Sequence, residues 1–326
     1  MTRPEPVPPP RRAALTHRAL YRALIRTAAT RPDSITGRLW TAAWSRLTPR
    51  MSGSTRVTIH GQSSLVNAGY AYPAFARRWP AYNHPLVQLV HEARRASERP
   101  VVLVDVGAAV GDTVLLVLDR CPDAVRRFVC VEPDPEFHAY LSANLGDRDD
   151  AVLVRDMLAA EAGEVPSLVR THSGTASAQG AEHTWASTLD DVLGRVDSSP
   201  VGVLKVDTDG FDGPVLAGAT RTLTTDRPAV IFEWHPILIE RTGNELQEPF
   251  RVLTAAGYSR FVWFDKEGRF SHVMHGHDTD AVTDLAALCL LGDDWRTDWH
   301  YDVVALHATS TIDEVALATL ASAGPP

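Results

Sequence analysis

Val104-Asp105-Val106-Gly107-Ala108-Ala109-Val110-Gly111-Asp112 closes an apolar run that begins at Val101 and leads into a helix over Thr113–Arg120. The nearly continuous apolar run Val101–Val106, broken only by Asp105, reads as a parallel strand buried on both faces. The glycines supply a turn in which backbone approaches a ligand closely. A dinucleotide fingerprint needs glycine or alanine two and five residues after the first glycine. Here those positions are Ala109 and Asp112, and an acid aimed at a helix start repels a pyrophosphate. It suits instead a ligand with an ammonium and a sulfonium, such as S-adenosylmethionine. Gly107, Ala109 and Gly111 then form the cradle, Asp112 faces the positive charge, and Asp105 reaches the methionine amine directly or through water.

Outward from this turn, strands and helices alternate. The pattern predicts a strand over Arg127–Glu132, a helix over Pro135–Leu145 and a strand over Ala151–Arg155. An irregular segment with Ser173-Gly174-Thr175 follows, then a helix near Thr188–Gly194. Next come a strand over Gly202–Asp207, a helix over Gly213–Leu223, a strand over Ala229–Glu233 and a helix over Pro249–Ala256. Such alternation implies a doubly wound parallel sheet. At the carboxyl end, Arg260–Phe264 and Arg269–His272 read as a hairpin. A short helix near Leu285–Leu291 and a last strand, Asp302–His307, complete it.

Val131-Glu132-Pro133-Asp134 ends the second strand about twenty residues beyond the turn. A carboxylate there accepts hydrogen bonds from a ribose diol, which makes Glu132, with Asp134, the expected ribose ligand. After the third strand, Asp156 and Met157 are the expected neighbours of the adenine. An ordinary cap and a core methionine are the alternative.

Two further strand ends carry polar groups where ligands of doubly wound sheets lie: Asp207 and Asp209 after the fourth strand, Glu233 and His235 after the fifth. His235 is the expected general base because imidazole titrates near neutrality. Asp207 or Glu233 would orient it or bind the acceptor. A helix-start role before Pro236 is the plainer alternative for His235. Asp207, Asp209, Glu233 and His235 could instead hold a divalent cation such as magnesium, the lesser reading beside a turn rich in acids. His272, His275 and His277 read as an exposed loop rather than a metal site.

Asp105–Asp112, Glu132-Pro133-Asp134, Thr188-Leu189-Asp190, Leu204-Lys205-Val206-Asp207-Thr208-Asp209-Gly210-Phe211-Asp212 and Val230-Ile231-Phe232-Glu233 together resemble the FkbM family of methyltransferases over roughly Val101 to Tyr258. The resemblance implies a class I methyltransferase fold, Rossmann-like, with a mostly parallel seven-stranded sheet. It also implies S-adenosylmethionine as cofactor and O-methylation of a polyketide, sugar or other secondary metabolite, as in natural-product biosynthesis. The chain departs from the family at Asp209 and Asp212, where glutamate is usual, and at Ala159-Ala160, where a polar pair is usual.

Charge is unevenly spread. In residues 1–50 ten arginines stand against Glu5 and Asp33, so this stretch is +8 and the rest must carry −16 to reach the net −8. A basic arm can contact nucleic acid or a membrane surface, or serve as a transit peptide. Arginine-studded helices facing water are the simpler reading, and the acidic body argues against phosphate-backbone binding elsewhere. The expected partners are therefore a small-molecule acceptor and at most a second copy in a homodimer, with no nucleic acid and no membrane.

The expected layout is a disordered proline-rich tail (1–12), an amino-terminal helical and aromatic cap (13–97), the methyltransferase domain (98–310) and a carboxyl-terminal tail (311–326). In the cap, a first helix over about Ala13 to Ala29 places Leu20, Leu24 and Ala28 on one face. A second, capped by Ser34, should align Trp40, Ala43, Trp44 and Leu47. These aromatics either line a substrate pocket or, more simply, pack on the main domain. A strand is expected over Arg56–Gly61 and a helix over Pro85–Ser97. Three scattered cysteines and no spanning apolar run imply a reducing, cytoplasmic setting. A nicotinamide-dependent oxidoreductase and a non-catalytic binding protein are the competing functions. Asp112 and the Glu132-Pro133-Asp134 segment disfavour the first, and only turnover excludes the second.

Overall fold

Val101–Val106, Val125–Val131, Ala151–Val154, Val203–Val206 and Ala229–Trp234 form five parallel strands at the centre of one sheet. The computed structural model describes residues 11–31, 34–167, 169–170, 176–177, 183–196, 199–291 and 299–322. Most of the expected amino-terminal tail and the Ser173-Gly174-Thr175 segment lie outside the described residues. Across the sheet the order is Phe270–His275, Tyr258–Asp265, Tyr301–His307, Ala229–Trp234, Val203–Val206, Val101–Val106, Val125–Val131, Ala151–Val154. The last three strands of the chain pair antiparallel. The sheet thus has eight strands rather than seven, because the second arm of the terminal hairpin also joins it and forms its edge.

Alternation of side chains across the pleat divides the core in two. Val101, Leu103, Phe128, Cys130 and Val203 face one layer, with helices His84–Ser97, Asp112–Arg120 and Pro135–Leu145 and the amino-terminal elements. Val102, Val104, Val129, Leu204 and Val206 face the other, with helices Leu189–Val196, Glu248–Ala255 and Thr279–Leu290. The single helix expected over Gly213–Leu223 is broken into Asp212–Ala217 and Thr220–Thr225. At Gly218, between them, the Ala159 carbonyl comes too close to admit a side chain.

The cap packs on the first layer. Helix Leu15–Arg26 buries Tyr21, Leu24 and Ile25, while Leu20 is exposed, so the buried face is rotated from the expected one. Ser34 caps helix Ile35–Leu47 by accepting from Gly37 N–H at 3.0 Å. Trp40 and Trp44 are buried and stacked, 5.1 Å between centroids, and Trp40 Nε1 donates to the Leu24 carbonyl at 2.9 Å. Their role is packing. The strand expected at Arg56 is one arm of a hairpin, Ser54–Ile59 with Gln62–Asn67. His60 and Gly61 both have positive φ, as a two-residue primed turn requires. Residues 311–322 include a helix, Glu314–Ser322, which buries Leu317 against helix His84–Ser97.

Two glycines of positive φ should respond differently to alanine. At Gly61 a Cβ meets nothing within 4 Å, so Gly61→Ala pays backbone strain alone, about 1 kcal/mol. At Gly107 it would overlap the carbonyl oxygen of Asp207 on the neighbouring strand. Chemical denaturation should show a clearly larger loss for Gly107→Ala, and equal losses would mean that the strand ends are not in contact.

Candidate active site

The turn after Val101–Val106 is fixed by backbone. Gly107 and Ala108 N–H groups both donate to the Val131 carbonyl, at 3.0 and 3.1 Å. Ala109, with φ +45, turns its N–H to Glu132 Oε2 at 2.9 Å. The other oxygen of Glu132 accepts from Asp134 N–H at 2.9 Å. Gly111 has φ +86, and a Cβ there would sit 2.7 Å from Leu145 Cδ1, so this glycine serves helix packing as well as the turn. Glu132 is buried and pushed up to about 7 by that burial, against the two N–H groups that favour its charge.

Asp105 is wholly buried. Lys205 Nζ donates to its Oδ1 at 2.9 Å and the Thr113 hydroxyl donates to its Oδ2. Lys205 stands directly opposite Asp105 in the parallel register and also lies 3.4 Å from Asp207 Oδ2. Burial alone would lower the lysine, but Asp105 and Asp207 more than offset it and keep the ammonium charged. Asp112 begins the following helix and points into the protein: Tyr70 donates its hydroxyl to Oδ2, and Thr113 N–H donates to Oδ1 at 2.8 Å. Its carboxyl is pushed up to about 7 by burial, with Tyr70 and Lys205 pulling the other way. Tyr70 is thus the point at which the cap touches the glycine turn.

Asp134 Oδ1 accepts from the N–H groups of Glu136 and Phe137, at 2.8 and 2.9 Å. Its carboxylate caps helix Pro135–Leu145, and Glu132 alone of the pair faces the turn. Asp156 is paired with Arg195, and half-buried Met157 lies in a two-residue strand beside Ala186.

At the same edge of the sheet a second group of acids gathers: Asp207, Asp209, Asp212, Glu233 and Asp302. Glu233 and Asp302 are register partners on antiparallel strands. Asp212 is fully buried and pushed up to about 7 by burial and by the Asp207 charge. Asp302 is pushed up to about 7 for the same reasons. Glu233 is raised well above the carboxylate range by burial, then by Asp207, Asp209 and Asp212. Its Oε1 lies 3.5 Å from His300 Nε2, and its Oε2 has no hydrogen-bond partner among the described residues. Tyr82, from the cap, feels Asp207, Asp302 and Glu233; burial and these charges raise its phenol.

His235 is buried and caps helix Pro236–Thr242, its Nδ1 accepting from Leu238 N–H at 3.4 Å. Its ring stacks on His300, 4.7 Å between centroids. Among the described residues no group of three or more His, Cys, Asp or Glu side chains could hold a metal ion, so Asp207, Asp209, Glu233 and His235 do not assemble into one. His272 and His275 lie in the edge strand rather than in a loop, and the run diverges. His272 stacks on Trp263, His275 meets Glu314, and His277 bonds Gln247.

Sequence reasoning left Lys205, Thr113, Tyr82, His300 and Asp302 without roles. For Lys205 the signal was there: a lone charge in an apolar strand needs a partner, and Asp105 is the matching charge in the next strand.

The strand order, with one antiparallel strand inserted beside the fifth parallel one and a glycine turn after the first, is that of the class I methyltransferase fold. Residues 105–260 match the family model described as the methyltransferase FkbM domain. Over those residues, a little under half of its length, the chain resembles that family of methyltransferases. It is similar to a solved FkbM methyltransferase from Methylobacillus flagellatus, at 14% identity and TM-score 0.39, covering 63% of this chain and 43% of that one. This chain therefore spans under half of that protein. It is similar also to a precorrin-6y C5,15-methyltransferase from Geobacter metallireducens (13% identity, TM-score 0.36, covering 69% and 87%). A third similar structure is the N-methyltransferase NodS from Bradyrhizobium japonicum (9% identity, TM-score 0.38, covering 70% and 97%). No curated protein matches the chain. No helix among the described residues is long and apolar enough to cross a membrane.

Removing the ammonium while leaving Asp105 buried should cost about 3–5 kcal/mol. Lys205→Met should therefore be strongly destabilised in urea, and adding Asp105→Asn should recover part of the loss. A Lys205→Met protein as stable as the parent would show that the pair contributes no stability.

Proposed function

We propose that the protein transfers a methyl group from S-adenosylmethionine to a hydroxyl of a small molecule. One observation carries the reading. Asp112, Glu132, Asp212, Glu233 and Asp302 are all held above their usual range at one edge of the sheet, beside a single buried cation, Lys205. Such an edge favours a ligand that brings positive charge. When bound, S-adenosylmethionine supplies an electrophilic methyl on a sulfonium. In this reading Glu132, held by the Ala109 and Asp134 N–H groups, faces its ribose beside the glycine turn.

Methyl transfer to an alcohol is an in-line displacement: the oxygen–carbon bond forms as the carbon–sulfur bond breaks, and the hydroxyl proton must go to a base. His235 is one candidate. Its Nδ1 accepts from Leu238, however, so the neutral ring carries its proton on Nε2, where it can donate but not accept. Glu233 fits the base better, because its Oε2 has no partner among the described residues and burial and the neighbouring acids raise its basicity. In this reading His235 and His300 orient Glu233 and the acceptor, Asp207 binds the acceptor, and Tyr82 closes the pocket from the cap. The acceptor class, a polyketide, sugar or related metabolite, and the cytoplasmic setting belong to the same proposal.

Glu233→Gln should lower kcat by about 10²–10⁴, and the parent's kcat should fall as pH drops through the Glu233 titration, since the base must be ionised. His235→Gln, which keeps a donor, should retain most turnover. The reverse pattern in a panel of alcohol acceptors would make His235 the base.

Cofactor binding should release protons near pH 7. Glu132 and Asp112 are partly protonated there, and a cationic ligand favours their ionised forms, so affinity should rise with pH and level off above about 8. Calorimetry in two buffers of different ionisation enthalpy reads this directly. Glu132→Ala should weaken S-adenosylmethionine by about 2–4 kcal/mol. Unchanged affinity in that variant would remove Glu132 from the ribose site.

A further inference from the structure

The positive charge of the amino-terminal stretch is concentrated rather than spread. Residues 11–13 pair with the start of the hairpin: Ala13 N–H donates to the Ser54 carbonyl at 2.9 Å, and Ser54 N–H to the Arg11 carbonyl at 2.8 Å. This fixes Arg12 beside strand Ser54–Ile59, and helix Leu15–Arg26 brings Arg18 and Arg22 to the same place. Arg22 Nη2 donates to the Arg56 carbonyl at 3.1 Å, and Arg56 Nη1 to the Ser63 carbonyl at 3.1 Å, so each guanidinium is anchored by one nitrogen.

Arg12, Arg18, Arg22, Arg56 and Thr55 line one cleft of about 390 Å³, with Leu65 in its wall and no acid among its described lining residues. None of the four arginines forms an ion pair among the described residues. Two donors in this cleft are buried without a partner among the described residues, Arg18 Nε and the hydroxyl of Thr55, a residue only 3% exposed. Four guanidinium groups with no counter-charge among the described residues repel one another, and buried donors without acceptors there cost free energy. A tetrahedral dianion relieves both, because planar guanidinium forks match phosphoryl oxygens and a hydroxyl adds a further donor.

We propose that this cleft binds a phosphoryl group carried by a small soluble molecule. Its lining shares no residue with the glycine turn or the acidic cluster. A concave, confined site suits one phosphoryl group. A nucleic-acid backbone needs a longer basic track, and the residues after position 50 carry −16.

The test is calorimetric titration of the full chain with inorganic phosphate and with glycerol 3-phosphate, at constant ionic strength set with chloride. Saturable binding to one site is expected for both. Arg18→Gln and Arg56→Gln should each weaken it by at least about tenfold, with the melting temperature in chloride unchanged. Arg56→Lys, which keeps the charge and is less disruptive if glutamine harms folding, should also weaken it through loss of the fork. Absence of saturable binding, or equal binding by parent, Arg56→Lys and the double glutamine variant, overturns the proposal. So does arginine-dependent binding confined to a duplex oligonucleotide or to phosphatidylglycerol vesicles.

Discussion

Asp105 and Lys205 face each other across two central strands, and the glycine turn, the helix after it and the end of the fourth strand meet at that contact. It is the one ion pair among the described residues with both side chains buried, at 0% and 8% exposure. Taking two charges out of water costs several kcal/mol per ion, returned only when the remaining donors and acceptors are satisfied. Here they are: Thr113 meets the second oxygen of Asp105, and Asp207 lies within reach of the ammonium. The pair therefore ties the glycine turn, the first turn of the next helix and the end of the fourth strand into one polar unit. The Gly107–Asp207 backbone contact locks the same strand ends sterically.

Around that unit the protein keeps more buried negative charge than positive. Glu132 and Asp112 are satisfied by N–H groups and a tyrosine hydroxyl rather than by cations, which stabilises their position without neutralising them. The geometry is thus set before any ligand arrives, and the unmet electrostatic demand is what a cationic ligand answers. The cap takes part in this. Tyr70 holds Asp112, and Asn144 links the cap hairpin to the turn by bonding both Leu65 and the Val110 carbonyl.

Much of this was legible in the sequence. Apolar runs of five or six residues separated by helical patterns give parallel strands whatever else the chain does, so the order of core elements followed from periodicity. The glycine turn was legible because Gly107 and Gly111 sit at a strand–helix junction. Less visible was how each carboxylate is used. Asp134 and Glu132 are two residues apart and chemically alike, yet one caps a helix and the other faces the turn, because Pro135 starts the helix immediately after Asp134. The cap's register was also hidden: helix Leu15–Arg26 has apolar residues on more than one face, and its buried face is held by tertiary bonds, Tyr21 to the Tyr70 carbonyl at 2.6 Å and Trp40 to the Leu24 carbonyl.

The acceptor side was the hardest part to read, for a topological reason. Its residues come from strands far apart in the chain that meet only through antiparallel pairing. Tyr301–His307 inserts between Ala229–Trp234 and Tyr258–Asp265, which sets Asp302 opposite Glu233. His300, just before that strand, then falls against His235. A histidine that reads locally as a base beside a glutamate becomes, once the insertion is made, a buried helix cap stacked on a second histidine. The imidazole is held by the hydrogen bond at Nδ1, while Asp212 and Glu233 keep carboxylate oxygens with no partner among the described residues. Local chemistry named the residues of this cluster, and the pairing of distant strands sets which of them become neighbours.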